Sequence, residues 1–462
     1  MGSSAARRGL RPLAFIVVLI IACLAQMRTT LAREAVLLDV NGAIGPATTA
    51  YLRRAFRAAS DRDAALVILR MDTPGGLDAA TREIVRDILA SPLPIIAYVG
   101  PGGARAASAG TYILYASHLA GMAPGTNLGA ATPVQLGVGR QPLGGRPRDG
   151  GGDDEGDATD APTEAHAAKA VNDAVAYIRG LAELRGRNAD WAERAVRRAA
   201  SLPAKAALEQ RVIDIVAPDP QDLLRQADGR VVRLEHGDMR LETAGLGILP
   251  IEPDWRERFL ATITDPNIAY ILMLIGIYGV LFELAAAPGT VLPGVAGAIC
   301  LLVGLYALHL LPISYAGAGL VALGIALMVG EAFAPSVVLG TGGIAAFVIG
   351  SLLMFDTGTP GFSLSWQVVA VATAATAALL IFVLAAAVRA HRLRVVTGEG
   401  GLLGSPGEVL TWDGQEGHVQ VHGERWRARA AGPLAPGQRV RVVARDRLVL
   451  AVEPEADRPP RR

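Results

Sequence analysis

One serine in this chain stands in surroundings that could make it a nucleophile. Ser108 lies in Ala106-Ala107-Ser108-Ala109-Gly110-Thr111, just ahead of the apolar Tyr112-Ile113-Leu114. Small neighbours let a substrate come close. A helix start leaves backbone N–H groups free, and its dipole favours an alkoxide-like charge. A serine nucleophile with an oxyanion hole is built from such parts. The same small residues also serve simple packing of a helix on a strand, so the pattern alone leaves both readings open. Upstream, Asp72-Thr73-Pro74-Gly75-Gly76 is a second segment whose residue types free the backbone for a tight turn.

A serine nucleophile needs a base, and the basic residues of this chain are unusual. Of 44, only Lys169 and Lys205 are lysine; the other 42 are arginine. Either type supplies a solvated charge, but only an amine can lose its proton and accept one from serine. Lys169 is therefore a candidate base, with chance retention of a surface lysine as the alternative. Its neighbours Ala165, Ala167, Ala168 and Ala170 predict a water-poor setting, which favours a neutral amine. Lys205, in Leu202-Pro203-Ala204-Lys205, reads as a surface residue at a helix start. His118 comes ten residues after Ser108, nearly three helical turns, and so points elsewhere; it reads as a packed or surface histidine. No histidine lies between His118 and His166.

The elements that must hold these residues can be read from periodicity. Ala35–Val40, Ala65–Arg70 and Leu93–Val99 read as buried strands, and 46–60 and 77–90 carry helical spacing. Alternating strand and helix predicts a layered α/β domain with parallel pairing. Ser108 and the Asp72–Gly76 turn fall at the strand ends, where such domains place chemistry. Residues 134–164 are rich in Gly, Asp and Pro and read as a loop between nucleophile and base, either a lid or an idle insertion.

Asp72-Thr73-Pro74-Gly75-Gly76 with Ala107-Ser108-Ala109-Gly110 downstream resembles the Clp-protease/crotonase-type superfamily. More closely, the chain resembles the membrane-bound serine proteases of the NfeD family, the stomatin-operon partner proteins. The likeness includes Asn172–Ile178, Gly186-Arg187-Asn188, Phe282-Glu283 through Pro288-Gly289, and Glu331–Ser336. The resemblance implies Ser108 as nucleophile, Lys169 as general base, and the backbone N–H groups of Gly76 and Ala109 as the oxyanion hole. It implies a hydrophobic peptide substrate, a stomatin/prohibitin-like membrane partner, and a homo-oligomer, dimer or larger. No cofactor or metal is expected. The position where soluble Clp proteases carry their histidine has none, which argues against a Ser-His-Asp triad; the resemblance implies a Ser-Lys dyad instead.

The rest of the chain reads as a membrane protein. It is 51% apolar and 19% charged with a net charge of +1, which argues against a general nucleic-acid binder. Cys23 and Cys300 lie in apolar runs, so no disulfide framework is expected. Arg7, Arg8 and Arg11 before the apolar run from Leu13 to Ala25 read as a signal peptide, or as an uncleaved anchor. Apolar stretches near 267–287, 290–311, 315–333, 336–355 and 366–388 predict about five spans. Arg389, Arg392 and Arg394 place the end of the last one in the cytoplasm, returning the α/β domain to the outside. Glu283 and Glu331 fall at span ends, each with a Pro/Gly-rich phrase after it, and read as a weak internal repeat. Short alternating strands over 397–455 predict a small barrel, OB-like by the resemblance.

The expected organisation is a signal peptide (1–32), an extracytoplasmic Clp-like protease domain (33–225), and a linker with a β-rich appendage and an interfacial helix (226–266). A transmembrane domain (267–389) and a cytoplasmic OB-like barrel (397–455) complete it. The fold class is thus a multidomain membrane protein with α/β, helical-bundle and all-β parts. The expected function is a membrane-anchored serine endopeptidase. A membrane scaffold for a stomatin-like partner, with an incidental protease domain, is the alternative.

Overall fold

The computed structural model describes residues 33–133, 161–285, 291–334, 336–355, 358–392 and 399–455. The expected signal peptide and most of loop 134–164 lie outside them. The α/β domain begins with β1 (Glu34–Asn41), α1 (Pro46–Asp61), β2 (Leu66–Asp72), α2 (Asp78–Leu89) and β3 (Ile95–Val99). It continues with β4 (Arg105–Ala107), α3 (Ala109–Ala116), β5 (Leu119–Met122), β6 (Asn127–Gly129), α4 (Ala161–Leu184) and α5 (Ala189–Arg197). Then come β7 (Ser201–Pro203), α6 (Ala204–Glu209), β8 (Ile215–Val216), α7 (Pro220–Ala227), β9 (Val231–Leu234), β10 (Gly237–Arg240) and β11 (Gly247–Pro250).

The main sheet has the order β11-β1-β2-β3-β5-β8, with every pair parallel. Parallel sheets are covered on both faces, which is why β2 and β3 read as near-continuous apolar runs. One face carries the large core that includes Val36, Leu69, Ile84 and Ile113. The other packs Ile68, Ile96 and Tyr98 against Leu223 and Leu224 of α7. A second sheet, β4-β6-β7, stands beside Ser108. The appendage does not remain separate: its last strand, β11, pairs with β1 and becomes the edge of the main sheet. This pairing was not visible in the residue pattern, because Gly247–Pro250 is too short to show a period.

The membrane part comes after α8 (Trp255–Ile263), whose Trp255 and Phe259 are exposed. It comprises α9 (Pro266–Ala285), α10 (Leu292–Leu310), α11 (Tyr315–Phe333), α12 (Val338–Met354) and α13 (Trp366–Arg392). Four of these are long and apolar enough to cross a bilayer; α12, with 17 residues, sits at the short limit of that range.

The helices pair through glycines. A Cβ on Gly297 would lie 2.9 Å from the Gly279 backbone, and one on Gly324 would lie 2.7 Å from the Gly343 carbonyl. Such contact lets backbones approach closely where apolar burial gives no drive to associate. The two acidic residues repeat one device. The Glu331 carboxylate accepts the N–H groups of Ser336, Val337 and Gly340 at 2.8, 2.6 and 2.9 Å, capping the start of α12. Glu283 accepts the Gly294 N–H at 3.4 Å at the start of α10. The weak internal repeat thus corresponds to two helical hairpins, the second capped by Glu331 through three amides and the first by Glu283 through one long contact.

A second compact unit holds the C-terminal half of α13 and the polar C-terminal region. There α14 (Glu399–Leu402) leads into β12 (Pro406–Asp413), β13 (Glu416–Val421), β14 (Glu424–Arg429), β15 (Arg439–Asp446) and β16 (Val449–Pro454). They form a closed barrel, β12-β13-β14-β16-β15, around Val409, Val419, Val440 and Leu450. Trp412 and Trp426 pack partly buried against this core. The expected fold class is borne out: α/β domain, membrane helices and five-stranded barrel.

Candidate active site

The sharp geometry begins at the Asp72–Gly76 turn. Thr73 donates its N–H to the Arg105 carbonyl at 2.8 Å, and its own carbonyl accepts the Ala107 N–H at 3.1 Å. The turn is thus stitched onto β4, the strand that ends at Ser108. Asp72 accepts the Arg105 N–H at 3.1 Å. On the other side, Ile44 donates to the Gly75 carbonyl at 2.8 Å and accepts the Leu77 N–H at 2.9 Å. The glycines are required by contact. Gly75 has φ +121, and a Cβ there would lie 2.7 Å from the Ser108 Cβ. A Cβ on Gly76 would strike the Ile44 backbone, and one on Gly110 would lie 2.7 Å from the Thr73 methyl.

Ser108 is the single residue between β4 and α3, with φ 50 and ψ −113. A non-glycine residue in this region stores strain, and such residues cluster where a side chain must be held toward a substrate. A serine on a sharp strand-to-helix turn is also how unrelated hydrolases present a nucleophile. The turn is fixed from behind: the Ser108 N–H donates to the Gly129 carbonyl at 3.0 Å, and the Thr111 hydroxyl accepts the Gly129 N–H at 3.1 Å. Among the described residues, the N–H groups of Gly76 and Ala109 donate to no protein acceptor. Both flank Ser108 in a cleft of about 480 Å³.

Opposite them, α4 supplies Ala170, Asp173, Ala174 and Tyr177 to the cleft. Lys169 precedes Ala170 and lies one turn before Asp173 on the same helix face. It differs from expectation in one respect: Lys169 is exposed rather than buried among alanines, and Ala168 is exposed beside it. The side chains of Ala165 and Ala167 lie outside the described residues. No hydrogen bond joins Lys169 to Ser108 among the described residues; the cleft lining brings Ser108, Gly76 and Ala109 together and does not include Lys169. Lys205 is exposed on α6, as a surface residue would be.

The sequence pattern did not reveal the charged side chains of the cleft. Arg82 of α2 donates to Asp78 at 2.8 Å and to Asp173 at 2.6 Å, tying α2 to α4. Its guanidinium also lies 4.7 Å from the Tyr177 ring centroid. The i,i+4 spacing of Asp78 and Arg82 was a legible signal of a helix pair; the bond to Asp173 was not. His118 is buried far from this chemistry. Its Nδ1 accepts the Ile95 N–H at 3.1 Å, and burial lowers its pKa to about 3.

Family models match the chain along most of its length. "NfeD1b, N-terminal domain" matches 35–140, "NfeD integral membrane domain" 267–386, and "NfeD-like C-terminal, partner-binding domain" 399–454. The chain is 33% identical over 425 residues to the membrane-bound protease PH1510 of Pyrococcus horikoshii, covering 90% of this chain and 92% of that protein. It is 29% identical over 316 residues to the membrane protein NfeD1b of Bacillus subtilis, covering 66% and 63%. Among solved structures it is similar to the 1510-N membrane protease of P. horikoshii, which is specific for a stomatin homolog. There the identity is 30% and the TM-score 0.41, covering 50% of this chain and 99% of that one. The C-terminal domain of the stomatin operon partner protein 1510-C of P. horikoshii matches 13% of this chain and 98% of its own, with 38% identity and a TM-score of 0.13.

Proposed function

The chain belongs to the NfeD family of membrane-bound proteases, and from that membership we propose that it is a membrane-anchored serine endopeptidase. Ser108 is its nucleophile, Lys169 its general base, and the Gly76 and Ala109 amides its oxyanion hole. The observation that carries this reading is the turn at Ser108: a strained serine beside two backbone donors that, among the described residues, meet no acceptor. The Ser108 hydroxyl gives its proton to the Lys169 amine while its oxygen attacks the peptide carbonyl. The two amides hold the oxyanion as it forms. The ammonium then returns the proton to the leaving amine, and water resolves the acyl-enzyme by the same route. Lys169 is exposed one turn before Asp173 of the cleft lining, and a peptide laid over Ser108 would cover that face of α4.

Kinship with the NfeD proteases supports a hydrophobic segment of a stomatin/prohibitin-like membrane protein as substrate. The barrel, matching a partner-binding domain, is the proposed dock for such a partner. We place the α/β domain outside the cytoplasm and the barrel inside, on the arginines after the last span, and expect a homo-oligomer, dimer or larger.

The full chain in detergent micelles, offered apolar peptides, tests the mechanism. Ser108→Ala and Lys169→Arg should each lower kcat by at least about a thousandfold, and His118→Ala should retain it. An active Lys169→Arg enzyme would remove the dyad. An inert wild type would favour the scaffold reading.

A further inference from the structure

The cleft at Ser108 is not closed by the α/β domain alone. Leu310, Leu311 and Pro312, where α10 ends and turns, and Thr359 and Pro360, between α12 and α13, line it as well. Both segments are turns at one end of the membrane helices, the end at which α9 leaves the α/β domain. They are tied into that end: the Ser314 N–H donates to the Met354 carbonyl at 2.9 Å, and the Ser365 N–H donates to Asn267 at 2.9 Å.

The second turn is also seated on the catalytic framework. The Phe362 ring lies against Gly45, where a Cβ would stand 2.9 Å from it, and a Cβ on Gly361 would lie 2.5 Å from that of Ala43. Between Ala43 and Gly45 lies Ile44, whose backbone brackets the Gly75–Leu77 turn. A loop of the membrane domain therefore touches the segment that fixes the Gly76 amide.

We propose that these two loops form the second wall of the substrate cleft and determine its specificity, holding an extended apolar segment of a membrane-embedded polypeptide against Ser108. The proposal rests on the protease reading and adds residues to it. Three observations favour this occupant. The loops contribute Leu310, Leu311, Pro312 and Pro360, which offer apolar surface. The charged lining side chains, Arg82, Asp78 and Asp173, are bound to one another. A cleft walled by the ends of membrane helices is reached directly by a chain leaving the same bilayer. Leu311, buried just past the end of α10, lines the cleft from one loop, and Pro360 lines it from the other.

The test uses the full chain in nanodiscs and a quenched decapeptide of valine and leucine. Leu311→Asn and Pro360→Gly should each raise KM about fivefold or more, with kcat and the rate of Ser108 labelling by a small fluorophosphonate within twofold of wild type. Leu448→Asn, on the exposed barrel surface, should change neither. Independently, a benzophenone-bearing copy of the peptide, irradiated with the Ser108→Ala chain, should crosslink to 310–312 or 359–360 as well as to 76–82. Unchanged KM in both variants, with crosslinks confined to the α/β domain, overturns the proposal. A wild type that neither cleaves the peptide nor reacts with the fluorophosphonate overturns the protease reading itself.

Discussion

Ser108 and its neighbours show how much a short run of residues can specify unaided. The serine, its small flanks and the upstream glycines were legible because each is demanded by a contact within a few ångströms: Gly75 by Ser108, Gly110 by the Thr73 methyl. Gly75→Ala meets both a φ of +121 and the serine side chain. It should cost about 1–3 kcal/mol of stability, read by thermal unfolding, and abolish fluorophosphonate labelling of Ser108. Lys169 was legible as a residue type but not in its surroundings, because local alanines do not determine the cover over a helix face. His118 carries a pH signature of its own. Its pKa, near 6.5 when unfolded, falls to about 3 in the fold, chiefly by burial. The stability linked to its neutral form is therefore present above about pH 6.5 and drains away as pH falls toward 3. A pH series of melting curves should show a shallower acid slope for His118→Phe over that window than for wild type.

At the scale of elements, α3 is prepared at both ends. Its N-terminus leaves the Ala109 amide without an acceptor among the described residues, beside Ser108, while its C-terminal carbonyls are held from outside. Arg187 donates to the carbonyls of Leu114 and Tyr115 at 2.8 and 3.1 Å, and Arg185 donates to that of Ala116 at 2.8 Å. Arg187 is nearly inaccessible and pairs with Asp214 at 2.7 Å. Positive charge at a helix C-terminus is favourable, and here it is also the means of satisfying buried acceptors. Arg187→Met strands Asp214 and those carbonyls, and should destabilise the α/β domain by about 3–5 kcal/mol in denaturant titrations. Nothing intrinsic marked this arginine among 42; only the resemblance of Gly186-Arg187-Asn188 to a family motif drew notice to it. Glu331 was legible both within the Glu331–Ser336 phrase of the resemblance and on physical grounds, since a carboxylate at a span end needs a partner. Glu331→Gln can keep acceptors on one oxygen only, so the melting temperature in detergent should fall, reflecting a loss of about 1.5–3 kcal/mol for each charged hydrogen bond removed.

For the whole molecule, the residue pattern separated the parts well and described their joints poorly. Apolar length marks a span and alternation marks a barrel strand, whereas the pairing of β11 with β1 and the reach of Phe362 to Gly45 depend on the folded chain. The division of labour can be tested directly. Deleting 399–462 should leave cleavage of the valine–leucine peptide within a few-fold of wild type and abolish capture of the proposed membrane partner in a pull-down. Loss of peptide cleavage would instead tie the barrel to catalysis. The joint at β11 has a mechanical side. Ile251 donates to the Leu37 carbonyl at 3.0 Å and accepts the Tyr51 hydroxyl at 2.6 Å. Arg54 grips Glu257 of α8, the helix just ahead of the first membrane helix, at 2.7 Å. The α/β domain is thus moored to its anchor by strand, hydroxyl and ion pair, with no slack tether between. On the proposed protease reading, this mooring would hold Ser108 at a fixed offset from the first membrane helix, so that the site would act as a ruler. A membrane substrate lengthened by inserted residues should be cut at the same distance from its point of exit, at a new sequence position.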